Sequence, residues 1–116
     1  MLSSYIISNN ENKSKTKGNE IRVIDGDTFI YQNKTIRLLC IDAPEKGQIG
    51  YQESTTALFQ LINNQNLKIE EQGLDKYNRT LAWIYNEDNL LINKELIEKG
   101  HAKLYIYNKT NCDILI

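Results

Sequence analysis

Residues 25–45, DGDTFIYQNKTIRLLCIDAPE, decide the fold. An Asp-Gly-Asp turn opens onto an apolar strand, a polar break at residues 32–34 leads into a second strand, and an Asp-Ala-Pro-Glu cluster follows it. We expect the two strands to form an antiparallel hairpin, which would place Asp27 beside Asp42. Two carboxylates held that close repel each other unless a cation or a proton lies between them, so this stretch predicts a metal site.

The composition is that of one soluble globular domain, with 116 residues of which 41% are hydrophobic and 25% are charged. A formal net charge of −1 argues against a protein that holds nucleic acid through bulk positive charge. A local basic site or a bound metal could still neutralise phosphate. No apolar run is long enough to cross a bilayer, and the first residues lack the basic and apolar regions of a signal peptide. We expect a monomer with no membrane partner.

The beginning of the chain is expected to be a flexible arm. Residues 8–20 contain no large apolar side chain and cannot bury enough surface to compensate for the entropy lost on ordering. The sequence therefore predicts an arm over residues 1–19 and a folded domain over residues 20–116.

The two cysteines and the single histidine do not form a recognisable site. Cys40 and Cys112 belong to no metal-binding spacing, and one histidine leaves too few ligands for zinc. Cys40 is expected to be a small core residue, and nothing in the spacing favours a disulfide with Cys112. His101 is expected to be a surface or capping residue.

Residue patterning predicts the order of secondary structure. Strands are expected near residues 21–23, 29–31, 35–41, 67–71, 80–85 and 103–107, and helices over residues 51–63 and 90–97, the second ended by Gly100. The order β-β-β-α-β-β-α does not alternate as parallel βαβ units do. We therefore predict a β-rich α+β fold, a five-stranded, partly closed antiparallel OB-fold barrel capped by two helices.

The carboxylates suggest an oxygen-bound cation. Asp27 and Asp42 are hard oxygen ligands, the main-chain carbonyl of Ala43 is free to add another, and no nitrogen or sulfur ligand is nearby. Calcium fits such a set best, with magnesium and manganese left open. Glu45 lies three positions after Asp42 and could deprotonate a water there. The alternative is that Asp25 and Asp27 shape a turn and that Glu45 is an ordinary solvated carboxylate.

Arginine is scarce, because the chain has three arginines and eleven lysines. Arg37 lies in an apolar strand and Arg79 follows a polar loop, and a guanidinium in such a place usually faces an anion such as phosphate. A structural salt bridge to a loop carboxylate is an equal alternative. Arg37 and Asp42 are five residues apart, so strict alternation directs them to opposite faces. A bend, a bulge or a strand end must intervene if both serve one site.

Aromatic and basic side chains near the ends of the later strands are candidate nucleic-acid contacts. Tyr77, Tyr105 and Tyr107, with Lys76 and Lys103 beside them, could stack a base or contact a phosphate. The alternative is half-buried packing.

Four stretches together resemble the staphylococcal nuclease (thermonuclease) family. They are VIDGDT at 23–28, IRLLCIDAPE at 36–45, DKYNR at 75–79 and AKLYIY at 102–107. The resemblance covers roughly residues 20 to 110. It implies an OB-fold barrel and a calcium-dependent phosphodiesterase that acts on DNA and RNA, preferably single-stranded or frayed, with little sequence specificity. Members often continue into a third helix, so a truncated third helix is also expected.

The resemblance also implies a role for each site residue. Asp27 and Asp42, with the main-chain carbonyl of Ala43, would bind calcium, and Asp25 would support these ligands without touching the ion. Glu45 would be the general base. The remaining residues would contact the substrate: Arg37 and Arg79 would bind the phosphate and stabilise its five-coordinate transition state, and Lys76, Tyr77, Tyr105 and Tyr107 would contact the nucleotide.

The implied reaction is in-line attack of water with departure of the 5′ oxygen, which leaves 3′-phosphate ends. The rival hypothesis is a catalytically silent nucleic-acid-binding module on the same fold. A binding-only relative would be expected to have lost some of the acidic and basic site residues, whereas this chain keeps Asp27, Arg37, Asp42, Glu45 and Arg79. Two loops, before Asp75 and over residues 46–50, are shorter than in the secreted staphylococcal enzyme, and Asn78 replaces a glycine.

Overall fold

The computed structural model describes residues 20–106 and 110–116, so the predicted arm over residues 1–19 lies outside the described ranges. The strands within these ranges are β1 (Ile21–Asp25), β2 (Thr28–Tyr31), β3 (Lys34–Leu38), β4 (Ile41–Asp42), β5 (Lys68–Leu74), β6 (Thr80–Tyr85) and β7 (Lys103–Leu104). The helices are α1 (Tyr51–Ile62) and α2 (Ile92–Glu98), and a short 3₁₀ turn covers Asp113–Leu115. No helix in these ranges is long and apolar enough to cross a membrane.

The main sheet is OB-like but mixed. Its strand order in the described residues is β1-β2-β3-β6-β5, and β4 pairs with β7 in a separate two-stranded ribbon, so the barrel does not close. Neighbouring strands are antiparallel except β3 and β6, which are parallel. The sequence pattern predicted antiparallel pairing throughout. The parallel pair arises because β4, α1 and β5 separate β3 from β6 along the chain, and a connection of that length lets β6 run in the direction of β3.

The β2–β3 hairpin confirms the prediction made from residues 25–45. Its two turn residues, Gln32 and Asn33, have φ angles of 52° and 64°. Positive φ at both central residues is the geometry that matches the twist of antiparallel strands. The resulting register places Thr28 opposite Arg37, at the end of β2 that follows Asp27.

The strand predicted over residues 35–41 is interrupted. β3 ends at Leu38, the Leu39 amide donates to the Ala82 carbonyl at 3.0 Å, and Cys40 adopts a left-handed conformation with φ 66° before β4 begins. The turn reverses the strand alternation between Arg37 and Asp42. This turn is the bend that the alternation of side chains along a strand requires if Arg37 and Asp42 are to reach one site.

The helices follow the predicted amphipathic pattern with small shifts. Leu58 and Ile62 of α1 are fully buried in the core, and the helix ends at the predicted stop, where Asn64 has φ 58°. The second helix begins at Ile92, later than predicted, because Leu91 forms a β-bridge with Tyr85. The helix is followed by Gly100, whose positive φ of 79° agrees with the prediction.

A disulfide joins Cys40 to Cys112, with the Cα atoms 5.8 Å apart. The sequence left this disulfide possible but did not favour it, and in that respect the expectation was wrong. The two residues are separated by 72 positions, and only the tertiary fold brings them together. Cys40 is buried, as predicted for a core residue, and both cysteines join the cluster that contains Phe29, Leu58 and Ile84.

Candidate nucleic-acid cleft

A cleft of about 350 Å³ brings together six of the predicted site residues. Its walls come from the end of β3, the Cys40 turn, the loop before β6 and the residue after β7. The lining residues are Arg37, Leu38, Leu39, Cys40, Asp42, Asp75, Lys76, Tyr77, Arg79, Leu81 and Tyr105. Two guanidinium groups, a lysine, two tyrosines and two carboxylates therefore line one concave surface.

Arg37 is held at one wall by four partners. Its Nη1 donates to the carbonyls of Leu38 and Ile41, each at 2.8 Å. Its Nε lies 3.6 Å from Asp27 Oδ1 and its Nη2 lies 3.5 Å from Asp42 Oδ1. The Arg37 side chain is only 12% exposed, and these contacts compensate for the cost of burying its charge. They agree with the hypothesis of a structural ion pair, and the binding of a phosphate by Arg37 stays a prediction.

Asp27 is a buried carboxylate that ties the hairpin to the segment after β4. Its Oδ1 accepts the Thr28 hydroxyl at 2.7 Å, and its Oδ2 accepts the Ala43 amide at 2.8 Å. Asp42 lies on the other side of Arg37, and its side chain is 57% exposed to solvent. The hairpin therefore places Asp27 against the Arg37 guanidinium, and the turn at Cys40 brings Asp42 to the same group.

Asp25 lies behind Asp27 and accepts its backbone amide at 3.1 Å. Burial raises the pKa of the Asp25 carboxyl to about 6, and the neighbouring Asp27 carboxylate adds to this rise. The density of negative charge is high here because the carboxyl groups of Asp25 and Asp27 lie close to each other beside Arg37.

Arg79 is held at the opposite wall by Asp75. The Asp75 Oδ1 accepts the backbone amides of Tyr77 and Arg79, each at 2.9 Å, and its Oδ2 accepts Arg79 Nε at 2.7 Å. Burial raises the pKa of Asp75, but these hydrogen bonds outweigh it and hold the pKa below its ordinary value. Asn78 completes the turn with φ 65°, so the residue that replaces glycine does adopt the left-handed conformation.

Two cationic side chains lie over the aromatic ring of Tyr77. Lys76 Nζ and the Arg79 guanidinium carbon each lie 5.3 Å from the ring centroid. The ring is 67% exposed, so the aromatic surface and its cations face the cleft and the solvent. Tyr105 lines the same cleft and its amide donates to the Cys40 carbonyl at 2.8 Å. Tyr107 lies outside the described residues.

Glu45 does not line this cleft. Its side chain is exposed, and its backbone forms two contacts with Gln48: its amide donates to the Gln48 side-chain oxygen at 2.7 Å, and its carbonyl accepts the Gln48 amide at 2.8 Å. These bonds hold the turn three residues beyond Asp42. His101 lies away from the cleft, and its amide donates to the Leu96 carbonyl at the end of α2, as expected for a capping residue.

No group of three or more His, Cys, Asp or Glu side chains in the described residues is arranged to hold a metal ion. Asp27 and Asp42 both approach the Arg37 guanidinium within 3.6 Å. Their carboxylate oxygens and the main-chain carbonyl of Ala43 are the kinds of donor that calcium, magnesium and manganese prefer. The chemistry of these donors suits an oxygen-bound cation, and its binding here stays a prediction.

Two residues that sequence reasoning did not single out support the cleft. Asp75 positions Arg79, and its place four residues before that arginine in a polar loop could have indicated a side-chain-capped turn. Asn93 is fully buried on α2, where its amide donates to the Leu39 and Ala82 carbonyls and its oxygen accepts the Ile84 amide. No sequence signal distinguished Asn93 from an ordinary polar helix residue.

Comparison with known proteins identifies the family. The family model described as "Staphylococcal nuclease homologue" matches residues 35–114, which include every predicted site residue after Asp27. The chain is 37% identical over 90 residues to an "Uncharacterized endonuclease" of Haemophilus influenzae, covering 73% of this chain and 50% of that protein. It is 32% identical over 100 residues to an "Uncharacterized endonuclease" of Escherichia coli O157:H7, covering 83% and 64%.

A further relative is a "Micrococcal nuclease" of Shigella flexneri, 33% identical over 103 residues, which cover 78% of this chain and 59% of that protein. The chain thus spans from half to just under two thirds of the length of these curated relatives. The family match and the OB-like sheet agree with each other. The chain belongs to the staphylococcal nuclease homologue family.

Proposed function

We propose that this chain hydrolyses the phosphodiester bonds of DNA and RNA in a calcium-dependent reaction with little sequence specificity. The observation that carries the proposal is the cleft that both Arg37 and Arg79 line, together with Asp42. A guanidinium fork matches the oxygens of a phosphate, and two of them in one cleft suit one phosphodiester group. The nuclease names of the relatives support the same class of activity.

The proposed cation ligands are Asp27, Asp42 and the main-chain carbonyl of Ala43. When bound, calcium supplies positive charge that neutralises part of the charge on the phosphodiester. This charge would help a chain with a formal net charge of −1 to hold a polyanion. Asp25 supports these ligands through a hydrogen bond, because its carboxylate accepts the backbone amide of Asp27.

The chain's own groups carry out the proposed bond changes. Glu45 accepts a proton from a water, which attacks phosphorus in line with the departing 5′ oxygen. The P–O5′ bond breaks, the departing 5′ oxygen takes up a proton from solvent to become a 5′ hydroxyl, and a 3′-phosphate end remains. Arg37 and Arg79 stabilise the additional negative charge on the phosphorus oxygens as the five-coordinate transition state forms. The exposed position of Glu45 on a hydrogen-bonded turn leaves its carboxylate accessible to water.

The aromatic and basic rim of the cleft is proposed to hold the nucleotide. Tyr77, Tyr105 and Tyr107 would stack bases, and Lys76 would contact a neighbouring phosphate. Stacking is available to every base, so these contacts give little sequence preference. They require an unpaired base, and for this reason we propose a preference for single-stranded or frayed substrate.

The test is cleavage of single-stranded DNA in calcium or in chelator by the wild-type chain, Glu45→Gln and Arg79→Ala. We expect calcium-dependent cleavage that falls about 10²–10⁴-fold in Glu45→Gln and about 10²–10³-fold in Arg79→Ala. The 3′ ends should need phosphatase treatment before a polymerase can extend them. Circular dichroism of each protein verifies that it is folded.

Two exposed residues outside the cleft provide matched controls, Glu53→Gln on α1 and Arg22→Ala on β1. Both controls should cleave as the wild-type chain does. A folded wild-type chain that binds DNA and leaves it intact in calcium would contradict the proposal. That result would favour the catalytically silent binding module.

A further inference from the structure

The Cys40–Cys112 disulfide connects a wall of the cleft to the segment 110–116. Cys40 lines the cleft between β3, which carries Arg37, and β4, which carries Asp42. Cys112 lies in the segment that ends in the 3₁₀ turn Asp113–Leu115. The only crosslink among the described residues is therefore attached to the turn that sets the relative direction of two proposed site residues.

The backbone beside Cys40 is held by a short ribbon. β4 and β7 pair through Ile41 with Leu104 and Asp42 with Lys103, and the Tyr105 amide extends the pairing to the Cys40 carbonyl. A ladder of two residues per strand has little stability of its own. Cys40 also has a positive φ of 66°, an uncommon conformation for a non-glycine residue that surrounding contacts must maintain. The disulfide is one of those contacts.

We propose that the Cys40–Cys112 disulfide is a site of reversible thiol–disulfide exchange with a dithiol reductant, and that its reduction loosens the β4–β7 ribbon. Asp42 and Tyr105 lie at this ribbon and line the cleft, so loosening the ribbon changes the cleft. The consequence for activity rests on the function proposed above. The structural part, a ribbon whose order depends on the disulfide, does not depend on that function.

The exchange proceeds in two steps. A thiolate of the reductant attacks one sulfur of the disulfide, forms a mixed disulfide with it and releases the other cysteine as a thiolate, which takes up a proton. The second thiol of the reductant then displaces the remaining protein sulfur. The products are two cysteine thiols and the oxidised reductant, after transfer of two electrons and two protons. Cys40 and Cys112 are 3% and 4% exposed, so a local opening must precede attack.

The opening is expected to be local because most of the core does not involve the segment 110–116. In the cluster of buried residues, this segment contributes only Cys112 and Leu115 among the described residues. The other members belong to the main sheet, the two helices and the Cys40 turn with β4. On the other side of the Cys40 turn, Asn93 still holds the Leu39 carbonyl. Reduction should therefore release the ribbon and spare the sheet.

The test is hydrogen–deuterium exchange of the wild-type chain before reduction, after reduction with dithiothreitol and after reoxidation. We expect the Tyr105 amide, which donates to the Cys40 carbonyl, to exchange at least about tenfold faster in the reduced protein, and the amides of Phe29 and Ile84 to keep their protection. Reoxidation should restore slow exchange. Unchanged exchange at Tyr105, or an equal increase at all three positions, would overturn the proposal.

Two variants separate the covalent bond from its packing. The double variant Cys40→Ser/Cys112→Ser should exchange rapidly at Tyr105 in both conditions and show no response to dithiothreitol. Leu115→Ala, which weakens the packing of the same segment and keeps the disulfide, should remain responsive to the reductant. A response to dithiothreitol in the double variant would contradict the assignment to this cysteine pair.

Cleavage of single-stranded DNA by the same samples distinguishes the two proposals. We expect a reversible fall of about tenfold on reduction, in step with exchange at Tyr105. Cleavage that is equal in both states, with unchanged exchange, would overturn the redox site and leave the nuclease proposal standing. An absence of cleavage in both states, with the expected change in exchange, would overturn the nuclease proposal and support the redox site.

Discussion

The two arginines that face the cleft are held in different ways. Arg37 projects from a strand and is 12% exposed, with two main-chain carbonyls and two carboxylates around its guanidinium. Arg79 follows a loop and is 31% exposed, with one carboxylate, Asp75, at its Nε and the Tyr77 ring beside it. The first arginine is part of the framework, whereas the second is attached to the framework through a single turn.

This difference determines whether a substitution of each arginine would change activity alone or stability as well. Removal of Arg37 would take a donor from the Leu38 and Ile41 carbonyls and the neighbouring cation from the buried Asp27 carboxylate, so any loss of activity would include a loss of stability. Removal of Arg79 leaves the Asp75 turn with its two backbone hydrogen bonds. Arg79 is therefore the better residue with which to measure a chemical role alone.

The largest expected effect on stability is that of Arg37→Ala. The substitution leaves Asp27 buried beside Asp25 with no cation, and breaking a buried ion pair costs about 3 kcal/mol. Urea unfolding monitored by the fluorescence of Trp83 measures this change. A free energy of unfolding within about 1 kcal/mol of the wild-type value would show that the Arg37 wall is not part of the framework.

Gly26→Ala should disturb the same wall without touching a charge. A Cβ atom at Gly26 would lie 2.6 Å from Ser54 Oγ and 2.8 Å from the Ala43 Cβ, so α1 and the segment after β4 must move apart. Overpacking of this kind costs about 1–3 kcal/mol. The free energy of unfolding in urea provides the measurement, and an unchanged value would contradict the close packing of the turn against α1.

Features that depend on local chemistry could be predicted from the sequence. The β2–β3 turn at Gln32 and Asn33, the end of α1 and the end of α2 before Gly100 follow from the preferences of Asn and Gly for positive φ. The proximity of Asp27 to Arg37 also follows, because a hairpin with a short turn fixes which residues are neighbours, whereas Asp42 reaches Arg37 through the turn at Cys40. The Asp75 turn is equally local, and the alternative of a salt bridge to a loop carboxylate describes the Arg79–Asp75 pair, although the sequence did not indicate which carboxylate would form it.

Features that depend on distant parts of the chain could not be predicted in the same way. The left-handed turn at Cys40 has no glycine or asparagine to indicate it, and the disulfide depends on the arrival of Cys112 from 72 residues away. The parallel pairing of β3 with β6 likewise depends on the route of the intervening chain. Asn93 matters because three backbone groups meet around it, which no local pattern indicates.

Asp75→Asn should produce a smaller, pH-dependent loss at the opposite wall. The pKa of Asp75 is lowered on folding, so its charge stabilises the folded state above the unfolded pKa of about 3.9 and this contribution is lost as the pH falls through the folded pKa. The wild-type chain should exceed the variant in stability by about 1 kcal/mol at pH 7. Urea unfolding from pH 7 to pH 3 should show the difference shrinking below pH 4. A difference that is independent of pH would contradict the role of the Asp75 charge.

The smallest expected effect on stability is that of Arg79→Ala. Its ion pair with Asp75 is partly exposed, and such pairs contribute less than about 1 kcal/mol. Thermal unfolding should therefore show a small decrease in Tm relative to the wild-type chain. A loss as large as that of Arg37→Ala would remove the distinction between the two walls.

The most direct test of the account is a double-mutant cycle between the two walls. The values of kcat/KM for single-stranded DNA would be measured in calcium for the wild-type chain, Arg37→Lys, Arg79→Lys and the double variant. Lysine keeps each charge and removes the planar fork. If both guanidiniums hold one phosphate, the two effects should be non-additive by at least about 0.5 kcal/mol. Effects that add to within about 0.3 kcal/mol would contradict a shared phosphate in this cleft.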